Sequence, residues 1–179
     1  MDSPEQSISD LIRKGRIHAV TGKLCTVETG DMITGPLPWI TVRAGRTRTW
    51  SAPSVGEQCL LICAEGETEN GVVLPGLYSD AFDAPEDSPD QDVTLYADGA
   101  RIAYDAKAHA LTATLPAGGT AAITAPGGIK ITGPVEIDGT LKVTKSVAAD
   151  EDVTASGISL KSHKHSAVKS GTDVSGGPQ

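Results

Sequence analysis

Between residues 123 and 165 an apolar residue returns at every sixth position, and a second small or apolar residue follows two places later. Turn-forming residues fill much of the rest of each six-residue unit. Because residues i and i+2 of a strand point to the same face, each unit predicts a short strand with two inward side chains, followed by a bend. A fixed period of this kind indicates a β-helix or solenoid. The first positions are Ile123, Ile129, Val135, Leu141, Val147 and Val153, and the second are Ala125, Ile131, Ile137, Val143, Ala149 and Ala155.

The pattern before residue 79 is different, because short alternating runs are separated by Gly and Pro turns. Strands are predicted at 16–20, 24–28, 38–43, 46–50, 58–64 and 71–74. The run at 58–64 is continuously apolar, as expected of a strand buried on both faces. Residues 7–14 predict a short helix that begins at Ser7 and ends at Gly15. Five or six strands in about 60 residues indicate a small barrel, with the OB-fold as the leading candidate.

The chain therefore divides into five predicted segments. Residues 1–15 form an N-terminal segment and residues 16–78 the OB-fold-like domain. Residues 79–92 carry six acidic residues and two prolines, which indicates a linker. Longer strands at 93–97, 101–104 and 111–115 lead into the six-residue units, so that 93–162 is a β-helix. Residues 163–179 form an apex and a C-terminal cap.

The aromatic residues indicate that the β-helix shares its core between chains. All six of them precede residue 105, so the second half must be narrow or must share its core with other copies. A single-chain β-helix uses three units per turn, so six units would give only two turns, fewer than the roughly three stacked repeats that a solenoid needs. The sequence thus predicts an all-β fold, in which an OB-fold-like barrel precedes a homotrimeric, intertwined, triple-stranded β-helix.

The charge and the cysteine content argue against several other classes of protein. The net charge of -8 and the pI near 4.9 argue against a nucleic-acid partner, which clustered Lys and Arg would attract. Cys25, Cys59 and Cys63 are odd in number and do not form a disulfide framework, so we expect synthesis and folding in the cytoplasm. We see no signal peptide and no apolar run near the ~20 residues of a membrane span.

The candidate chemistry lies at the end of the β-helix, in His163 and His165. Positions i and i+2 of an extended strand place both imidazoles on one face. Two nitrogen ligands cannot close a metal site, but three copies around a threefold axis supply six. Zinc prefers four tetrahedral ligands in structural sites, so six imidazoles favour an octahedral ion such as iron. A saturated shell leaves no open position for substrate, so the ion would be structural.

Two other classes of protein remain as alternatives. Hexapeptide acyltransferases share the six-residue period and use a histidine as general base, and His109 would be the candidate within the rod. Its setting predicts a solvated turn residue instead. An OB-fold that binds single-stranded nucleic acid needs basic and aromatic residues together, and Arg43, Arg46, Arg48 and Trp50 supply a small version of this.

Four segments together resemble the baseplate assembly protein V family, the central spike of contractile phage tails. They are 53–58 (PSVGEQ) and 71–78 (GVVLPGLY) in the barrel, and 163–165 (HKH) and 176–179 (GGPQ) at the end. The resemblance implies a homotrimer with an OB-fold domain, a triple-stranded β-helix and an apex where the two histidines of each chain bind one iron ion on the threefold axis.

The resemblance also implies a structural role without enzymatic activity or a small-molecule substrate. The spike would meet the tail hub or tube and other baseplate proteins at its N-terminal end. Sheath contraction would drive it through the outer membrane of a Gram-negative cell into the periplasm. Phage-tail-like bacteriocins use the same part, so the resemblance leaves open which particle carries this chain, and whether other ions lie inside the β-helix.

Overall fold

A computed structural model of the chain describes residues 11–165 and Gly171, in two compact units that divide between Ala122 and Ile123. The elements that lie wholly within these residues are ten β-strands and two single-turn 3₁₀ helices. The strands are β1 (Ile12–Thr21), β2 (Leu24–Thr29), β3 (Met32–Ile33), β4 (Gln58–Ile62), β5 (Val72–Leu77), β6 (Gln91–Leu95), β7 (Arg101–Asp105), β8 (Ala110–Thr114), β9 (Thr154–Ala155) and β10 (Ile158–Ser159), and the 3₁₀ helices are Ala64–Gly66 and Thr68–Asn70.

The first unit contains a five-stranded antiparallel sheet in the order β3-β2-β1-β4-β5. The segment around Leu37 and Trp39 joins its two ends. Leu37 forms a bridge with Cys25 of β2, and Trp39 forms one with Val73 of β5. Because one segment pairs with both sides of the sheet, the sheet closes into a small barrel without a free edge there. The predicted barrel is confirmed, although 38–43 and 46–50 form isolated bridges instead of full strands.

The barrel core consists of small and medium-sized apolar side chains from alternating positions. Its fully buried members are Ile17, Cys25, Val27, Leu37, Cys59, Leu61, Cys63 and Val73. The prediction that 58–64 is buried on both faces was wrong, because Leu60 and Ile62 of β4 lie outside the core and only their alternate neighbours are fully buried. An antiparallel barrel strand packs one face on the core and leaves the other outside.

The helix prediction for residues 7–14 was wrong at 12–14, since β1 already begins at Ile12, whereas Leu11 is helical. Residues 7–10 lie outside the described residues. Gly15 does not end a helix; it lies within β1, where it pairs with Cys59 of β4. A Cβ atom at Gly15 would lie 2.5 Å from Cγ1 of Val27 and 2.7 Å from the carbonyl oxygen of Glu28. The long β1 therefore passes over β2 only because residue 15 has no side chain.

We expect Gly15→Ala to destabilise the barrel by about 1–3 kcal/mol, because the added methyl group forces Val27 or the β2 backbone to move. Trp39 and Trp50, the two tryptophans of the chain, lie in this unit, so urea unfolding followed by tryptophan fluorescence reports on it alone. Gly35→Ala is the matched control, since a Cβ there meets nothing within 4 Å. Equal unfolding midpoints for the two variants would contradict this account.

Strands β6, β7 and β8 form a separate antiparallel sheet at the end of the first unit. The predicted strands at 93–97, 101–104 and 111–115 are confirmed within one or two residues. The guanidinium of Arg101 in β7 lies 3.3 Å from a carboxylate oxygen of Glu86 and 3.0 Å from the side-chain oxygen of Gln91. The acidic segment at 79–92 is therefore tied to this sheet at Glu86.

The second unit contains little regular pairing within one chain. Among the described residues, no strand lies between Thr114 and Thr154, and each predicted six-residue strand there is without a ladder partner. The larger apolar side chains of the units are 46–78% exposed. No helix among the described residues has the length and hydrophobicity to cross a bilayer.

Candidate metal centre

A short hairpin precedes the two histidines. Strands β9 and β10 pair antiparallel and are joined by Ser156 and Gly157, whose φ angles are 49° and 80°. Two successive positive φ angles define the tight turn that matches the natural twist of a two-residue hairpin. Gly157 adopts this conformation without strain, because it has no Cβ. The hairpin sets the direction in which the chain continues toward His163.

Asp152 holds the base of this hairpin together. One of its carboxylate oxygens accepts hydrogen bonds from the backbone N–H groups of Val153, at 2.8 Å, and Lys161, at 3.1 Å. A hydrogen bond from the side chain of Ser159, followed by the bond from Lys161, lowers the pKa of Asp152 below its ordinary value, because both favour the charged form. Leu160 also donates its N–H to the carbonyl oxygen of Val153, at 2.9 Å.

Ser159 connects the hairpin to His163. Its carbonyl oxygen accepts the backbone N–H of His163 at 3.2 Å, and ring atom Nδ1 of the same histidine lies 3.0 Å from that oxygen. A carbonyl oxygen can only accept, so this hydrogen bond requires the proton on Nδ1. The lone pair of the neutral imidazole is then on Nε2, available to a metal. A backbone carbonyl that fixes the second ring nitrogen is the usual support of a metal-binding histidine.

The two predicted ligands lie close together. The ring centroids of His163 and His165 are 5.1 Å apart, with the planes inclined at 77°, and both side chains are exposed in the single chain. Two imidazoles at adjacent octahedral positions have centroids about 4.6 Å apart when the metal–nitrogen distance is about 2.1 Å. The observed separation is near this value. Within residues 11–165 and 171, no group of three His, Cys, Asp or Glu side chains could hold a metal ion.

The remaining candidate residues lie elsewhere. Cys25, Cys59 and Cys63 are buried free thiols of the barrel core. Burial, followed by the nearby Cys25 and Glu57, raises the pKa of Cys59 to about 11, so that this thiol stays protonated and unreactive at neutral pH. His109 is exposed, with φ of 55°, in the turn between β7 and β8, as predicted.

The role of Asp152 and Ser159 was missed from the sequence. Their contact spans seven residues and depends on the hairpin between them. A usable signal existed in Ser156–Gly157, since a two-residue, Gly-containing turn between short strand-forming pairs predicts a hairpin.

Two segments of the chain match known protein families, and one relative matches much of its length. Residues 13–78 match the family described as the type VI secretion system/phage-baseplate injector OB domain. Residues 157–179 match the family described as the GpV apex motif. The spike protein of Escherichia phage P2 is 42% identical to this chain over 132 residues, which cover 73% of this chain and 62% of that protein. The match thus spans less than two thirds of the relative's length.

The chain matches an injector OB domain and an apex motif, and it is similar to a phage spike protein over 73% of its length. It therefore resembles the gpV family of phage baseplate spikes. The family resemblance predicted from the barrel and apex segments is confirmed, as is the all-β fold with an N-terminal OB domain.

The Asp152 contacts predict that Asp152→Ala loosens the hairpin, since two backbone donors lose their acceptor. In the intact protein at neutral pH, hydrogen exchange of a peptide that covers residues 152–163 should become faster. Asp150→Ala removes a neighbouring exposed carboxylate and serves as the control. Unchanged exchange in the Asp152 variant would show that the hairpin does not depend on this carboxylate.

Proposed function

We propose that this protein is the membrane-piercing spike at the centre of a contractile-tail baseplate. In this proposal three copies intertwine, and a metal ion at the apex joins their ends. The observation that carries it is the adjacent pair of imidazoles, 5.1 Å apart, within an apex motif that follows a stretch, residues 123–153, whose large apolar side chains are exposed in the single chain. Sheath contraction would drive the assembled spike through the outer membrane of a Gram-negative cell and into the periplasm.

The exposed apolar positions support the trimer. Ile123, Ile131 and Val147 are 78%, 68% and 70% exposed in the single chain, and the other large side chains of the series behave similarly. A soluble monomer rarely exposes so long a contiguous apolar series. Around a threefold axis the same side chains would face one another and would leave water.

The backbone supports the same conclusion. Between residues 115 and 152, backbone hydrogen bonds are few: Gly119 donates its N–H to the carbonyl oxygen of Pro116, and Gly128 donates its N–H to that of Ala125. Most buried backbone donors and acceptors in folded proteins are paired. Three chains that each pair with a neighbour would supply these partners and would leave no open strand edge along the rod. A rod of this kind resists axial load, which a piercing tool requires.

The apex ion follows from the trimer. Three copies of His163 and His165 supply six imidazole nitrogens, a set that suits octahedral iron better than tetrahedral zinc. With every position filled by protein, the ion holds the three chain ends together and performs no catalysis. The N-terminal end would contact the tail hub or tube and other baseplate proteins, inside a phage or a headless bacteriocin particle.

We expect the purified protein to sediment at three times its chain mass of 18.4 kDa. Ile137→Asp, at an inward position of the rod, should reduce assembly because it places three carboxylates around one axis. Lys142→Asp is the control, since it lies in the same stretch at a position outside the apolar series. Sedimentation velocity distinguishes the variants. A folded wild-type monomer would refute the trimer.

We expect about one metal ion, chiefly iron, for every three chains in protein purified without chelators. His163→Ala combined with His165→Ala should remove the metal while the trimer persists, because burial along the rod exceeds the contribution of one terminal site. His109→Ala, an exposed histidine of the first unit, should keep the full metal content. Elemental analysis together with sedimentation tests this. Metal retained in the double variant would rule out this ligand assignment.

A further inference from the structure

The barrel carries an ordered hairpin at residues 41–50, which we call the arginine hairpin. The hydroxyls of Thr41 and Thr49 lie 2.8 Å apart, and Thr49 donates its backbone N–H to the carbonyl oxygen of Arg43 at 3.0 Å. A further bridge joins Ala44 and Arg48. These contacts hold the hairpin in one conformation, so the side chains that it presents are positioned before any partner binds.

The arginine hairpin is a basic surface on an acidic protein. It holds three arginines and no acidic residue, whereas the whole chain has a net charge of -8. Arg43, Arg46 and Arg48 are exposed, and none forms an ion pair with another residue in the described part of the chain. Trp50 packs one side on Trp39, with centroids 5.4 Å apart, and remains 69% exposed.

The same unit contains a groove of complementary chemistry, which we call the aromatic groove. Its volume is about 540 Å³, and its lining includes Tyr78, Phe82 and Tyr96, together with the carboxylates of Glu57 and Asp83. Tyr78 is 70% exposed. Glu57 accepts the N–H of Ser54 at 2.8 Å, and Asp83 accepts that of Ala84 at 2.8 Å, so both carboxylates are held in place.

We infer that the arginine hairpin of one copy docks into the aromatic groove of a second copy. A guanidinium stacks on aromatic faces while it hydrogen-bonds to carboxylates, and the groove offers both kinds of group. Each copy carries both surfaces, and they consist of different residues. The contact is therefore head-to-tail, and three copies can close a ring of such contacts. This inference rests on the proposed trimer and adds the residues that join its barrels.

Charge favours a second copy over a nucleic acid as the occupant. A strand of nucleic acid would need a basic groove that follows its phosphates over several nucleotides. Here only one short hairpin is basic, and the segment at 79–92, which contributes Phe82 and Asp83 to the aromatic groove, contains six acidic residues. This segment would repel phosphates and attract the hairpin of a neighbouring copy.

Cysteine cross-linking of the full-length protein tests the contact. Arg46→Cys and Asp83→Cys chains, produced together, should form disulfide-linked dimers on non-reducing gels, because the two positions meet between copies. Lys23→Cys, an exposed turn position of the same barrel, replaces Arg46→Cys as the control and should give no such dimer with Asp83→Cys. The native cysteines are buried and should not interfere. Raising the salt from roughly 0.05 M to 0.5 M before oxidation should reduce the dimer yield.

Charge reversal gives a second measurement without new cysteines. Arg46→Glu should speed hydrogen exchange of a peptide that covers residues 76–85, and Lys23→Glu should not.

Two results overturn the docking but leave the spike proposal intact. One is equal hydrogen exchange in both variants. The other is the absence of mixed disulfide dimers although the wild type sediments as a trimer. A monomeric wild type would overturn the spike proposal itself. The docking would also be overturned if the wild-type protein bound a single-stranded oligonucleotide, Arg46→Glu abolished that binding and Lys23→Glu preserved it. Nucleic acid would then be the partner of the arginine hairpin.

Discussion

The rest of the structure depends on the fact that residues 123–153 neither bury their apolar side chains nor form strands within a single chain. Its apolar side chains recur with a period of six, which an extended chain places along one side, and they remain 46–78% exposed in a single copy. An extended backbone also needs a neighbour for its N–H and C=O groups. In the proposed trimer both needs would be met by the association of identical strands around an axis. Such an axis would be narrow, so that Ile, Val and Ala would fit it where aromatic side chains would not.

The barrel, in contrast, buries its apolar side chains and pairs its strands within one chain, because the sheet closes on itself. Eight side chains form its fully buried core, and the bridges of Leu37 and Trp39 join the two sides of the sheet. Its four antiparallel strand pairings and these two bridges need no second copy. A self-sufficient barrel can therefore keep a partner surface outside its core, and the exposed arginines and aromatic side chains of the first unit are available for that purpose.

How much of this could be predicted depended on the range of the interactions. The sequence predicted β2 and β7 from local alternation and β4 from a continuous apolar run. The helix prediction for residues 12–14 was wrong, because Leu11 and Ile12 also suit one face of a helix. Pairing of residues 12–14 with Leu60–Ile62, some 50 residues further along the chain, favours a strand instead. At 38–50 the alternation was real, but barrel closure allows only isolated bridges there. The two histidines could be singled out as candidates because they lie within three residues of each other, whereas the contacts of Asp152 depend on a folded hairpin.

In the proposed trimer, His163 and His165 lie at the end of the rod, where a metal site would join the chains better than further apolar side chains would. Burial stabilises in proportion to area, and the last residues of a narrow prism have little area to bury against neighbours above them. Coordination bonds are short and directional, so a few atoms on the axis can join three chains. In the proposed site each ligand would have to be oriented before a metal binds. The hydrogen bond from Nδ1 of His163 to the carbonyl oxygen of Ser159, in the hairpin whose base Asp152 holds, orients this one imidazole within the chain.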